Sequence, residues 1–292
     1  MGSDPFSGNT LPTTLVSTQE LASHPEWRVF DCRHDLFKPD LGEAQYREAH
    51  IPGALFAHLE RDLSGPKTGR NGRHPLPNSG VFIAWLGRQG LRPTDQVVCY
   101  DAGNGSMAAR LWWMLRWVGH QSVAVLDGGL AKWLAESRPM TAEVPKFPAT
   151  DYAASRAPSG AIDVREVEQR RDDLLLVDAR APVRYRGEQE PIDPVAGHIP
   201  GAKNRFNADN VSAQGTFKTP EELSREFASI LGNRHASEVV HYCGSGVAAC
   251  HNLLAMEIAG LPGGKLYAGS WSEWSADPDR PVETSAAKPL GR

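Results

Sequence analysis

His50-Ile51-Pro52-Gly53-Ala54 recurs unchanged as His198-Ile199-Pro200-Gly201-Ala202. Three other stretches recur in the same order. Phe30-Asp31-Cys32-Arg33 returns as Val177-Asp178-Ala179-Arg180, and Val97-Val98-Cys99-Tyr100-Asp101 returns as Val239-Val240-His241-Tyr242-Cys243. Asp127-Gly128-Gly129-Leu130-Ala131-Lys132-Trp133 returns as Ala268-Gly269-Ser270-Trp271-Ser272-Glu273-Trp274. The displacements of 147, 148, 142 and 141 residues drift only slightly. Four collinear matches, one an identical pentapeptide, mark two copies of one domain. A chain of 292 residues suits this reading, being too long for one ordinary core.

The copies are expected at 11–138 and 160–284. The intervening 139–159 contains Pro139, Pro145, Pro148 and Pro158, the composition of an extended connector lying on the surface. Met1–Gly8 reads as a leader rather than a fold element, and Ser285–Arg292, small and polar, as a loose tail. Within each copy, short apolar runs alternate with helical stretches. Val29-Phe30, Leu174 to Val177, Val97 to Tyr100 and Val239 to Tyr242 read as buried parallel strands. Met107 to Val118 and Ala248 to Ala259 read as helices, stopped by Gly119 and Gly260. Strands alternating with helices predict an α/β fold, each copy a small parallel sheet flanked by helices.

Composition excludes several classes. Apolar residues are 40 % and charged residues 23 %, as in ordinary globular proteins, and the net charge of -4 offers nothing to nucleic acid. No apolar run is long enough to span a bilayer, and no signal peptide is visible, so no membrane partner and a cytoplasmic setting are expected. The four cysteines, Cys32, Cys99, Cys243 and Cys250, form no C-x-x-C pair and no disulfide framework. Cys32, Cys99 and Cys250 read as core thiols, and Trp85, Trp112, Trp113 and Trp117 as core.

Cys243 reads differently. In such sheets ligands bind beyond the carboxyl ends of the strands. The loop there is Cys243-Gly244-Ser245-Gly246-Val247-Ala248, followed by a helix. Its glycines let successive N–H groups curl inward, and the helix N-terminus adds to the field, so the loop is a cradle for an anion. A cysteine there favours the thiolate, which is a nucleophile, and a persulfide anion fits the same cradle. Asp101 occupies the corresponding place in the first copy, which predicts a catalytically inactive domain that walls the site.

These residues resemble the tandem rhodanese-type sulfurtransferases over roughly Leu15 to Pro281. The resemblance rests on Asp-x-Arg, His-Ile-Pro-Gly-Ala, the Cys-Gly-Ser-Gly-Val loop and Gly-Ser-Trp-x-Glu-Trp. It implies two tandem rhodanese-like domains with the active site between them. The loop is most similar to that of 3-mercaptopyruvate sulfurtransferases; thiosulfate-preferring members tend to carry basic residues where Gly244 and Ser245 stand. By this resemblance Arg184 binds the donor's anionic group, Ser245 donates a hydrogen bond to substrate or thiolate, and His74 is presented by the first domain. Glu60 stands where an aspartate is frequent, with Asp62 nearby. The chain departs from the pattern at Glu190-Pro191, which is followed by Ile192-Asp193 rather than by a second arginine; Arg186 is the candidate substitute. Ala268 replaces a frequent aspartate.

The mechanism so implied is ping-pong. Cys243 takes sulfur from a small-molecule donor to give a persulfide stabilised by N–H groups of Gly244 to Ala248, then passes it to a thiol, a thioredoxin-like protein or cyanide. It calls for no metal or organic cofactor. Thiosulfate is the alternative donor, and a non-enzymatic rhodanese-type binding module is the reading from another class. A cysteine phosphatase requires Arg six positions after the cysteine, where Ala249 stands, and the G-x-S-x-G elbow of a serine hydrolase is absent around Ser245.

Overall fold

The computed structural model describes residues 11–285; the leader and the tail beyond Ser285 lie outside the described residues. Ten strands form two sheets. In the first copy these are β1 (Leu15–Val16), β2 (Arg28–Asp31), β3 (Ala54–Phe56), β4 (Val97–Tyr100) and β5 (Val123–Leu126). In the second they are β6 (Ala161–Ile162), β7 (Leu175–Asp178), β8 (Lys203–Asn204), β9 (Val239–Tyr242) and β10 (Lys265–Tyr267). The orders are β1-β5-β4-β2-β3 and β6-β10-β9-β7-β8, the same topology twice, with every pairing parallel. Register repeats as well: Asp31 faces Tyr100 and Asp178 faces Tyr242.

The repeated motifs turn out to be the joints of this architecture. Arg33 pairs with Asp31 and Arg180 with Asp178, both at 2.7 Å and both buried. The Tyr100 and Tyr242 hydroxyls accept the N–H of Ile51 and Ile199, each at 3.2 Å. His50 and His198 each place Nδ1 2.7 Å from a carbonyl, of Tyr46 and Tyr185. Gly53 and Gly201 turn the chain at φ 81° and 79°, a left-handed conformation that costs glycine little. Trp133 and Trp274 donate their indole N–H to the carbonyls of Pro139 and Pro281, both at 2.9 Å. The Asp-x-Arg and His-Ile-Pro-Gly-Ala motifs therefore position strands rather than react.

The connector runs over the first copy: Thr150 N–H donates to Gly87 O, Arg28 lies over the Phe147 ring, and the buried Tyr152 hydroxyl meets His120 Nδ1. The seam between the copies is built by helices Ser106–Trp117 and Ala248–Ile258. Both present buried residues almost all round, so each packs on its own sheet and on the other copy. Trp85, Trp112, Trp113 and Trp117 all lie in the core cluster that spans this seam. Among the described residues no helix is long and apolar enough to cross a membrane.

Candidate active site

Cys243 follows β9 directly and is 3 % exposed. Its Sγ accepts the N–H of Gly246 at 3.1 Å. The loop is anchored at three points. Cys243 N–H donates to Ser270 Oγ at 3.1 Å, Trp271 N–H donates to Cys243 O at 2.9 Å, and Ser272 N–H donates to Gly244 O at 3.0 Å. Gly246 holds φ 76°, and a Cβ there would lie 2.3 Å from Ala268 O, so only glycine fits. Ser270 sits at φ 56° where the first copy has Gly129 at φ 55°. A serine in that region is strained by about 1–3 kcal/mol. Its Oγ is the partner of Cys243 N–H, which is what the strain secures.

The first copy shows what this loop shape binds. There the Asp101 carboxylate accepts four amide hydrogen bonds, from Gly103, Gly105, Met107 and Ala108, at 2.8–3.2 Å. The cradle in that copy is occupied by the chain's own anion. In the second copy, whose loop is of equal length, the Gly246 N–H meets a sulfur instead.

The pocket over Cys243 lies between the copies. Its walls include Leu36, Arg73, Met107, Arg184 and Phe206. Arg73 and Arg184 both stand over Gly244: a Cβ on that glycine would lie 2.8 Å from Arg73 Nη2 and 3.7 Å from Arg184 Nη1. Arg184 is held by Glu190 at 2.5 Å and by Asp193 at 3.2 Å, and Arg73 is held by Asp193. Burial opposes ionisation of Glu190, yet Arg184 and the amides of Asp193 and Ile192 outweigh it and its carboxyl lies below the usual range. Asp193 is shifted the other way, because burial, aided by Glu190, outweighs Arg73 and Arg184.

Of the residues singled out in the sequence, the structure brings together Cys243, Gly244, Ser245, Gly246, Val247, Ala248, Arg184, His74 and Glu60. The Ser245 hydroxyl lies 2.8 Å from His74 Nδ1, and His74 Nε2 is 3.9 Å from Glu60 Oε1. Burial first, then Arg110, pulls the His74 imidazole down to about 3, so it is neutral at pH 7. Glu60 also pairs with Lys67 at 2.8 Å, while Asp62 accepts from His58 N–H. Arg186 is not brought to the pocket. It pairs with Glu188, two residues on, at 2.6 Å in a half-exposed position, so the suggestion that it supplies the second arginine is corrected. The second guanidinium over the loop belongs to Arg73, from the other domain. Sequence reasoning passed over it because it adjoins Arg184 only through the fold, although it immediately precedes His74.

The family model for the rhodanese-like domain matches the chain twice, over residues 15–136 and 163–277. The chain belongs to the rhodanese family. A relative in Pseudomonas aeruginosa named "Probable 3-mercaptopyruvate sulfurtransferase" is 48 % identical over 277 residues, covering 92 % of this chain and 98 % of the relative. A provisionally named thiosulfate sulfurtransferase of Mycobacterium tuberculosis is 38 % identical over 267 residues, covering 89 % and 91 %. The solved 3-mercaptopyruvate sulfurtransferase from Leishmania major superposes with a TM-score of 0.82 at 32 % identity, covering 90 % of this chain and 74 % of that chain. The two matches bear out the tandem arrangement inferred from the internal repeat.

Proposed function

We propose that this chain is a sulfurtransferase that moves sulfur from 3-mercaptopyruvate, through a persulfide on Cys243, to a thiol acceptor or cyanide. The observation that carries the reading is the placing of two guanidinium groups, Arg73 and Arg184, over the loop in which Gly246 N–H meets Cys243 Sγ. A planar fork suits a carboxylate, so the donor's carboxylate end is held there while its sulfur faces Cys243. The names of the P. aeruginosa and L. major relatives point to the same donor.

In the first half-reaction the Cys243 thiolate attacks the donor's sulfur and a sulfur–sulfur bond forms. The carbon–sulfur bond breaks, and its electron pair stays on carbon as the enolate of pyruvate. The donor's thiol proton ends on that carbon, giving pyruvate and the Cys243 persulfide anion. Ser245, hydrogen-bonded to His74, is the hydroxyl placed to pass this proton. With His74 protonated on Nε2, towards Glu60, its Nδ1 accepts from Ser245. The cradle N–H groups hold the charge on sulfur in the way an oxyanion hole holds oxygen. In the second half-reaction a small thiol, a protein thiol of the thioredoxin type or cyanide removes the outer sulfur. A cytoplasmic setting belongs to the same reading and is supported by four free cysteines.

Thiosulfate is the second reading, supported by the M. tuberculosis relative. Sulfur transfer to cyanide with each donor, together with intact mass after donor treatment, separates them. A higher kcat/KM for mercaptopyruvate, with one sulfur gained and lost in C243S, is expected. A higher value for thiosulfate transfers the assignment to that donor, and no turnover and no added sulfur leaves a binding module.

A further inference from the structure

Arg110 is out of place by ordinary rules. It belongs to helix Ser106–Trp117 of the first copy, and it is 0 % exposed. Among the described residues it has no carboxylate partner. Its Nη1 donates to Gly246 O at 2.9 Å, its Nη2 donates to Leu63 O and His74 O at 3.1 Å each, and its Nε finds none. Burying a lone charge costs several kcal/mol unless an opposite charge accompanies it. Carbonyl dipoles meet part of that cost.

The neighbours able to carry negative charge are two thiols. Cys250 Sγ donates to the same Gly246 O at 3.3 Å, and Cys243 Sγ accepts the Gly246 N–H. Burial pushes the Cys250 thiol up to about 12, so it stays protonated. Cys243 is left. The other charges on its side are already matched: Arg73 and Arg184 with Asp193 and Glu190, Arg180 with Asp178, and Lys67 with Glu60. His74 is neutral, and Ser245 and Ser270 carry no charge.

We propose that Arg110 is the fixed counter-charge of the anionic sulfur on Cys243, supplied across the seam by the copy that carries Asp101 in place of a nucleophile. It is a positioning residue. It acts through its field and through the Gly246 peptide, and it ties that peptide to His74, the partner of Ser245. The domain without a nucleophile is then part of the reaction's electrostatics as well as a wall of the pocket. The inference rests on the persulfide reading for its second half, since the anion is a thiolate before transfer and a persulfide after it.

The test is the rate of Cys243 alkylation by iodoacetamide in the full chain, from about pH 6 to about pH 10, in wild type, R110Q and R110K. R110Q loses the charge but keeps a donor for Gly246 O; R110K keeps the charge. The expected result is a deficit of about tenfold for R110Q near pH 7 that closes by pH 10, because base forms the thiolate regardless. R110K is expected within about threefold of wild type throughout. A deficit for R110Q that is the same at every pH marks a merely structural pin and overturns the proposal, as does no deficit. Should R110Q prove unfolded by circular dichroism, C243S decides. It sets a neutral hydroxyl where wild type holds the anion, so its Tm is expected to fall because the buried cation loses its counter-charge; an equal or higher Tm overturns the proposal. If wild type gains no sulfur at all, the persulfide reading fails while the alkylation profiles still judge Arg110.

Discussion

Replacing Arg73 with leucine tests whether the second arm of the donor clamp comes from the other domain. Arg73 Nη2 and the Arg184 guanidinium flank Gly244, and Asp193, 3 % exposed at its side chain, is bonded to both. Removing Arg73 has two consequences. The donor loses a charge-assisted hydrogen bond, a loss of about 1.5–3 kcal/mol. Asp193 is left with Arg184 alone and engages it more fully, so the remaining arm is less free. A loss of 1.5–3 kcal/mol is about 10- to 150-fold in kcat/KM. Because the clamp holds the carboxylate end equally in ground and transition states, the effect should fall mainly on KM. Steady-state sulfur transfer from mercaptopyruvate to cyanide measures it. R73L/D193N should recover part of the loss, since the freed carboxylate is gone. A kcat/KM for R73L within about threefold of wild type, or a loss confined to kcat, would refute the clamp.

Two other outcomes follow from the geometry. Ser270 trades backbone strain for the hydrogen bond that takes Cys243 N–H. S270A keeps the strain and loses the bond, whereas S270G loses the bond but relieves the strain, so S270G should be the more stable by about 1–2 kcal/mol in chemical denaturation; equal stability of the two would show that φ 56° carries no cost. The second concerns acid. Burial holds His74 and His241 down at about 3 and His251 at about 4 when folded, against an ordinary 6.5. Between about pH 6.5 and pH 3 the unfolded chain therefore binds protons that the folded chain does not, and stability must fall as pH drops through that window. H241L, which removes one such group, should flatten the decline of Tm with acid, and an unchanged slope would dismiss His241 as a contributor.

Much of this protein is determined by its sequence. The strands, the tandem copies and the nucleophile can be read because they depend on local pattern: apolar runs ended by Asp, an identical His-Ile-Pro-Gly-Ala, and a cysteine before Gly-Ser-Gly. Equal loop lengths even place Asp101 at the position of Cys243, although only the tertiary structure shows the carboxylate gathering four amides. Tertiary structure alone decided which charges meet. Arg73 and Arg184 are 111 residues apart in sequence and become neighbours because the copies face each other. Arg186 is only two residues from Arg184 yet is turned to Glu188 by the short helix Pro182–Tyr185. Arg110 lies within a stretch whose composition reads as packing, and its charge acquires meaning only where the seam brings it to Gly246. Side-chain period and turn chemistry act over a few residues, so they are written locally. Electrostatic partners in a two-domain cleft are chosen by docking, and no local pattern records that choice.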